Sequence, residues 1–372
     1  MAVLGQKKAK QRLQRMLQNE RLAHAMLFLG PEACGKLAMA LAFAQTVLCE
    51  NKQSNVQGEI VACGTCRACV KTSKWIHPDV HFSFPTIGTN ARSDQFLEHW
   101  RAMLQDHAYP TVHEWLQRIG AENKQGNINK EECLNIVRKL SLKTFEGSHK
   151  ILIIWMPEYL GKEGNRLLKL IEEPPANTLF ILVAENQELI LNTILSRCQI
   201  VQFQALQDED VVQGLRQCGH EEAPAFAAAQ LANGNFNEAM KLVVTSENDN
   251  ATLFLEWMRK CYQGNGVELV KWVEKFAGVG RENQKFFLRY ALHFMREYML
   301  LFATQDVARL RLREAEKQTA QKFLKIIGFE QVERIVTLLN QLSYHVERNA
   351  NPKVLFLDAS LQMHNFLRRA RP

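Results

Sequence analysis

The chain has 372 residues, with 46 Lys plus Arg against 39 Asp plus Glu and a net charge of +7. That balance permits contact with nucleic acid without arguing for it, and a hydrophobic share of 47% gives two or three domains real cores. No uncharged apolar run is long enough to span a bilayer, so no membrane segment is expected. Met1–Gly5 runs into the polar Gln6–Gln14, which does not read as a secretion signal. The nine cysteines form one tight cluster plus singles such as Cys133, Cys218 and Cys261. This pattern suits a reducing cytoplasm better than a disulfide framework, and a cytoplasmic protein is expected.

In chain order, Gln6–Asn19 reads as a helix with Leu13, Met16 and Leu17 as its apolar stripe. Ala25–Leu29 is a buried strand that meets a turn at Gly30-Pro31, and Lys36–Leu48 is a helix covered on most sides. Strand, glycine loop and helix is the order a phosphate-binding loop requires. Cys49–Cys69 is a polar, cysteine-rich excursion. Residues 87–125 read as an insertion with one or two helices (Phe96–Met103, Val112–Ile119), and the sequence leaves its role open. Ile128–Leu142 is helical by periodicity.

Strands resume at Ile151–Trp155, Leu179–Val183 and Ile200–Phe203. Their continuous apolar runs predict strands covered on both faces, hence a parallel α/β sheet with flanking helices. After Phe203 only helices are predicted. Asp208–Gln217, Ala223–Ala232 and Asn235–Val244 make a small helical unit. Leu253–Tyr262, Val267–Phe276, Asn283–Phe302, Gln331–Ser343 and Val354–Leu367 make an all-helical domain. The expected division is therefore 1–204, 205–247 and 248–372.

Three motifs carry chemistry. Gly30-Pro31-Glu32-Ala33-Cys34-Gly35-Lys36 matches GxxxxGK, in which backbone N–H groups wrap a polyphosphate and the lysine reaches its outer phosphates. The hydroxyl that should follow and hold Mg²⁺ is replaced by Leu37. The strand from Ile151 should end in an acidic pair, one residue for the metal and one for water, but it ends in Trp155-Met156, with Glu158 too far round the turn to substitute. A relic loop and a loop that binds ATP or ADP without turnover both remain open, and hydrolysis is not expected. The second motif, Cys49-x13-Cys63-x2-Cys66-x2-Cys69, offers four thiolates to a closed tetrahedral structural Zn²⁺ site. An iron–sulfur run would need a cysteine where Ser73 stands. His77, before Pro78-Asp79, reads as a hydrogen-bonded turn residue and not as a ligand. The third is Ser196-Arg197-Cys198, just before the last strand. Its guanidinium is either a surface ion-pair partner or a donor to the γ-phosphate of ATP held by a neighbouring subunit.

Taken together, these residues resemble the delta-prime family of bacterial DNA polymerase III clamp-loader subunits, which are AAA+ proteins. The resemblance covers about residues 1–245. It is carried by Val3-Leu4-Gly5-Gln6, Arg21–Ala25, the phosphate loop, the four cysteines and His77-Pro78-Asp79. Asn165–Lys169 running into Glu172-Glu173-Pro174-Pro175, and Ser196-Arg197-Cys198, complete it. It implies an α/β AAA+ module at 1–204 with the zinc module (49–69) inserted, a helical lid at 205–247, and an all-α collar at 248–372. It also implies a hetero-pentamer with gamma/tau motor subunits and a delta subunit, acting through the complex on a sliding clamp and primed DNA, with no membrane partner.

By resemblance, Arg197 is the arginine finger that acts in trans, and Gly30, Gly35 and Lys36 are the remaining phosphate contacts. Leu37, Trp155-Met156, Ala184-Glu185-Asn186 and Asn237 stand where the motor relatives keep catalytic groups. These losses point to a non-hydrolysing subunit. The rivals are an active gamma/tau-type motor ATPase and a zinc-dependent nucleic-acid-binding protein, the latter with few basic neighbours (Lys52, Arg67, Lys71, Lys74) around its cysteines.

Overall fold

The computed structural model describes residues 3–55, 58–121, 126–245, 250–324, 326–348 and 350–368. The chain divides into two compact units, residues 1–214 with 233–238, and residues 215–232 with 239–372. This division passes through the 205–247 segment, and the expected boundary at 247/248 lies outside the described residues, as does the end of the insertion at 122–125.

The first unit opens with α1 (Lys7–Gln18), which buries Ala9, Leu13 and Met16 and leaves its basic side chains outside. Strand β1 (Ala25–Leu29) leads through the loop into α2 (Lys36–Leu48). A two-stranded hairpin, β2 (Gln53–Ser54) with β3 (Ile60–Val61), and α3 (Arg67–Ser73) follow; of the clustered cysteines, Cys49 caps α2, Cys63 lies between β3 and α3, Cys66 caps α3 and Cys69 is in it. Next come β4 (Val80–Ser83), a 3₁₀ turn at Ser93–Phe96, α4 (Leu97–Asp106), α5 (Val112–Arg118) and α6 (Lys130–Ser141). The unit continues through β5 (Lys150–Trp155), 3₁₀ turns over Pro157–Leu167, α7 (Leu168–Glu172), β6 (Thr178–Ala184), α8 (Asn192–Leu195) and β7 (Gln199–Gln202).

One parallel sheet runs in the order β4-β5-β6-β1-β7. Leu27 sits opposite Leu182 of β6 on one side and Ile200 of β7 on the other, so the phosphate loop leaves a strand at the sheet's interior. Every residue of β1, β5 and β6 is buried, as their apolar runs require. This is the expected α/β architecture, a parallel sheet with flanking helices. One strand of this sheet escaped the sequence reading, as did the short hairpin β2–β3. β4 is an edge strand in which His81 and Ser83 interrupt the apolar run, so no continuous stretch marks it.

The 87–125 insertion carries two helices, as expected, and belongs to the core. Trp100 and Trp115 have no exposed surface. Trp100 stacks on Phe84 at 4.4 Å and lies 5.2 Å from Trp155, while Trp115 donates its indole N–H to the Pro85 carbonyl at 2.7 Å. Helix α5 starts at a reciprocal cap: the Thr111 hydroxyl accepts the Glu114 N–H and the Glu114 carboxylate accepts the Thr111 N–H, both at 3.2 Å.

Beyond the sheet lie α9 (Asp208–Gln217), α10 (Glu222–Ala232) and α11 (Phe236–Thr245). The second unit is otherwise built from α12 (Asn250–Gln263), α13 (Gly266–Ala277), α14 (Arg281–Thr304), α15 (Glu314–Phe323), α16 (Phe329–Glu347) and α17 (Pro352–Arg368). Its core is aromatic. Trp257 stacks on Trp272 at 5.7 Å, Phe276 continues the stack at 4.7 Å, and the Trp257 indole donates to Ser360 Oγ at 2.8 Å. Among the described residues no helix is long and apolar enough to cross a membrane.

Candidate nucleotide and metal sites

The phosphate loop keeps the backbone its glycines permit. A Cβ at Gly30 would lie 2.6 Å from the Phe203 carbonyl oxygen, and Gly35 has φ +100°. The loop is tied down on its outer side: Gln6 Nε2 donates to the Cys34 carbonyl at 2.9 Å and the Phe236 N–H to the Ala33 carbonyl at 3.2 Å. Lys36 is 4% exposed, and its ammonium donates to the Pro31 carbonyl at 2.5 Å and lies 3.8 Å from Glu185. Leu37, in the place of the metal-holding hydroxyl, is buried among apolar groups.

Trp155 and Met156 occupy the end of β5, and Glu158 and Glu185 lie just beyond the ends of β5 and β6. Trp155 is turned into the aromatic cluster, and Met156 adopts a left-handed φ of 59° at the strand end. Glu158 Oε1 accepts the N–H groups of Glu185 and Asn186 at 2.6 and 2.9 Å, so this carboxylate braces the turn after β6. These residues border a cleft of about 630 Å³ with Tyr159 and Asn127. Burial pushes the Glu185 carboxyl up to about 7, with Glu32 and Glu158 adding to the rise and Lys36 opposing it. Asn237 is buried and donates to the Tyr109 carbonyl at 3.1 Å and to Glu114 Oε2 at 2.6 Å, which ties the start of α11 to the insertion. Sequence reasoning missed Tyr109 and Glu114. An aromatic before a proline in an insertion gives no signal of what it will touch.

Arg197 follows α8 as the middle residue of the Ser196-Arg197-Cys198 turn. Its Nη1 donates to the Thr193 carbonyl at 2.9 Å and its Nη2 to Glu172 Oε2 at 3.1 Å. The side chain remains 31% exposed. Glu172 ends α7, which the Glu173-Pro174-Pro175 sequence stops. The Glu172-Glu173-Pro174-Pro175 and Ser196-Arg197-Cys198 segments therefore meet in space.

The four cysteine sulfurs lie within 4.8 Å of one another, and among the described residues theirs is the only such group of metal-capable side chains. Cys63 Sγ is 3.9 Å from Cys69 Sγ, close to the edge of about 3.8 Å that a tetrahedron with Zn–S bonds of about 2.3 Å requires. Backbone N–H groups point at the sulfurs: Cys63 to Cys49 Sγ at 3.3 Å, Cys66 to Cys63 Sγ at 3.3 Å, and Cys69 to Cys66 Sγ at 3.4 Å. Such donors orient and stabilise thiolates. The Cys66 and Thr65 amides bring the Cys63 thiol down to about 6. The set could hold a metal ion such as zinc.

His77 stays outside the cysteine group, its Nδ1 accepting the Asp79 N–H at 3.1 Å. Asp79 in turn accepts the N–H groups of Phe145, Glu146 and Gly147, fixing the loop before β5.

A parallel sheet of this strand order, with a glycine-lysine loop at the end of an interior strand and helices following the sheet, defines the α/β module that the sequence leads one to expect, and Leu37, Trp155 and Met156 lie at that loop and at the end of β5. The sequence profile of the family described as "DNA polymerase III, delta subunit" matches residues 5–207, more than half of the chain, and the chain belongs to that family. The DNA polymerase III subunit delta' of Bacillus subtilis is 27% identical over 315 residues, covering 84% of this chain and 79% of that protein. The subunit tau of the same organism is 27% identical over 248 residues, 65% of this chain but 36% of that protein. The subunit delta' of Escherichia coli is 24% identical over 223 residues, 59% of this chain and 54% of its own length.

Proposed function

We propose that this chain is a delta-prime-type subunit of a DNA polymerase III clamp loader that does not hydrolyse ATP and lends Arg197 to a neighbouring motor subunit. The observation that carries the reading is the contrast between its own cleft and that arginine. Leu37, Trp155 and Met156 are buried where a metal would need oxygen ligands, and Lys36 is engaged by Pro31 and Glu185. Arg197 is anchored at its base by a carbonyl, while its outer edge is paired with an exposed carboxylate. An exposed ion pair of this kind is worth less than about 1 kcal/mol and exchanges readily. A triphosphate on an adjoining subunit offers the guanidinium a stronger partner.

In this reading residues 205–247 act as the lid and 248–372 as the collar of a hetero-pentamer with gamma/tau and delta subunits. The assembly would load a sliding clamp on primed DNA in the cytoplasm. Cys49, Cys63, Cys66 and Cys69 would hold a structural Zn²⁺, which supplies a cross-link between the hairpin and α3 and leaves no open coordination position. The relatives named delta' and the loss of the metal-binding groups favour this reading over a motor ATPase. Measured turnover by the purified chain, abolished by Lys36→Ala, would overturn it in favour of the motor. Tight DNA binding by the isolated chain, lost on changing Cys63 or Cys66, would instead favour a nucleic-acid-binding module.

A further inference from the structure

We infer that Tyr109, carried by the segment between α4 and α5, stands in for a nucleoside and shuts the chain's own phosphate-loop site, which would otherwise take a nucleoside di- or triphosphate. The inference rests on reading Gly30–Lys36 as a phosphate loop and is independent of the role given to Arg197.

Three walls converge on this one side chain, which is 6% exposed. The Leu4 N–H donates to the phenol oxygen at 3.0 Å, as it would to a ring nitrogen of a purine. The ring lies 4.8 Å from that of Phe236, an apolar face against which a base would stack. Its edge is 3.2 Å from the position of a Cβ on Gly35, so it fills the space that glycine leaves open above the loop. The backbone on either side is pinned as well. Asn237 Nδ2 binds the Tyr109 carbonyl and the Glu114 carboxylate together, at 3.1 and 2.6 Å. Lys36, meanwhile, has its charge answered by Pro31 and Glu185 in place of phosphate. N-terminal segment, phosphate loop and residues 235–237 are thus held in a closed arrangement with no ligand required.

The parts that bind phosphate remain: Gly30, Gly35 and Lys36. The part that holds Mg²⁺ does not, because Leu37 replaces it. Freed of Tyr109, the site should retain nucleotide without magnesium and without turnover.

Equilibrium dialysis of the full chain against labelled ATP, with EDTA added only after the cysteine metal content is verified, tests this. The wild-type chain should bind ATP no more tightly than the millimolar range, and Tyr109→Ala, checked for folding by circular dichroism and thermal melting, should bind it at least roughly tenfold more tightly. Adding Lys36→Ala to Tyr109→Ala should abolish the gain. Stoichiometric retention by the wild-type chain overturns the inference, as does a folded Tyr109→Ala that retains none. Should Tyr109→Ala fail to fold, Tyr109→Leu preserves the apolar contact with Phe236 while removing the ring and phenol. It is expected to retain ATP, and failure to do so overturns the inference equally. Loss of the clamp-loader role would show instead in reconstituted assemblies and would leave these dialysis results unchanged.

Discussion

Arg197 Nη2 lies 3.1 Å from Glu172 Oε2, joining two motifs that stand 25 positions apart in sequence. The contact orients the guanidinium without committing it, because both partners are open to solvent. Glu172→Gln should therefore change folding stability by less than about 1 kcal/mol, measured by urea denaturation. A substantially larger loss would mean that Arg197 serves its own domain.

The cysteine cluster predicts composition as well as stability. Elemental analysis of protein purified without chelators should find one zinc per chain, with no visible iron–sulfur absorbance. Cys66→Ser should lose the metal and destabilise the hairpin and α3, seen as faster hydrogen exchange at residues 60–73. A reduced, metal-free chain with the same exchange pattern as the untreated protein would contradict the assignment.

Glu185 gives the stability a pH dependence. Its carboxyl is raised from 4.5 to about 7, first by burial. The folded chain therefore holds a proton that the unfolded chain releases. That contribution is fully present below 4.5 and is lost as pH rises through about 7. Glu185→Gln should remove this fall, so the variant gains on the wild-type chain progressively between pH 5 and 8 in urea titrations. Parallel curves for the two proteins would contradict it.

Trp100 tests whether the insertion is part of the core. It has no exposed surface and touches Phe84, Trp115 and Trp155. Trp100→Ala should cost about 3–5 kcal/mol by denaturant unfolding. A cost near that of a surface change would return the insertion to the status of an appended loop.

Much of this arrangement was legible in the residues. The loop between β1 and α2, the buried strands β1, β5 and β6 and the clustering of the cysteines follow from local patterns: glycines in the first case, apolar runs in the second and ligand spacing in the third. β4 was hidden because the polar His81 and the fully buried Ser83 interrupt its short apolar run. Helix α15 was given no bounds because its buried stripe contains Glu316 beside Ala320 and carries little apolar contrast. Most of what escaped was tertiary. No local pattern could place Tyr109 over Gly35, couple Asn237 to Glu114, or turn Lys36 toward Glu185, since each depends on how distant segments meet.

The most direct measurement is the DNA-stimulated ATPase of the complete clamp loader, reconstituted with gamma/tau, delta, sliding clamp and primed DNA, carrying Arg197→Ala in this chain. Assembly by size-exclusion chromatography should be intact. ATP turnover should fall by up to roughly 10³-fold, less where other motor sites compensate, and Arg197→Lys should not restore it. Full turnover in an intact Arg197→Ala assembly would contradict the account.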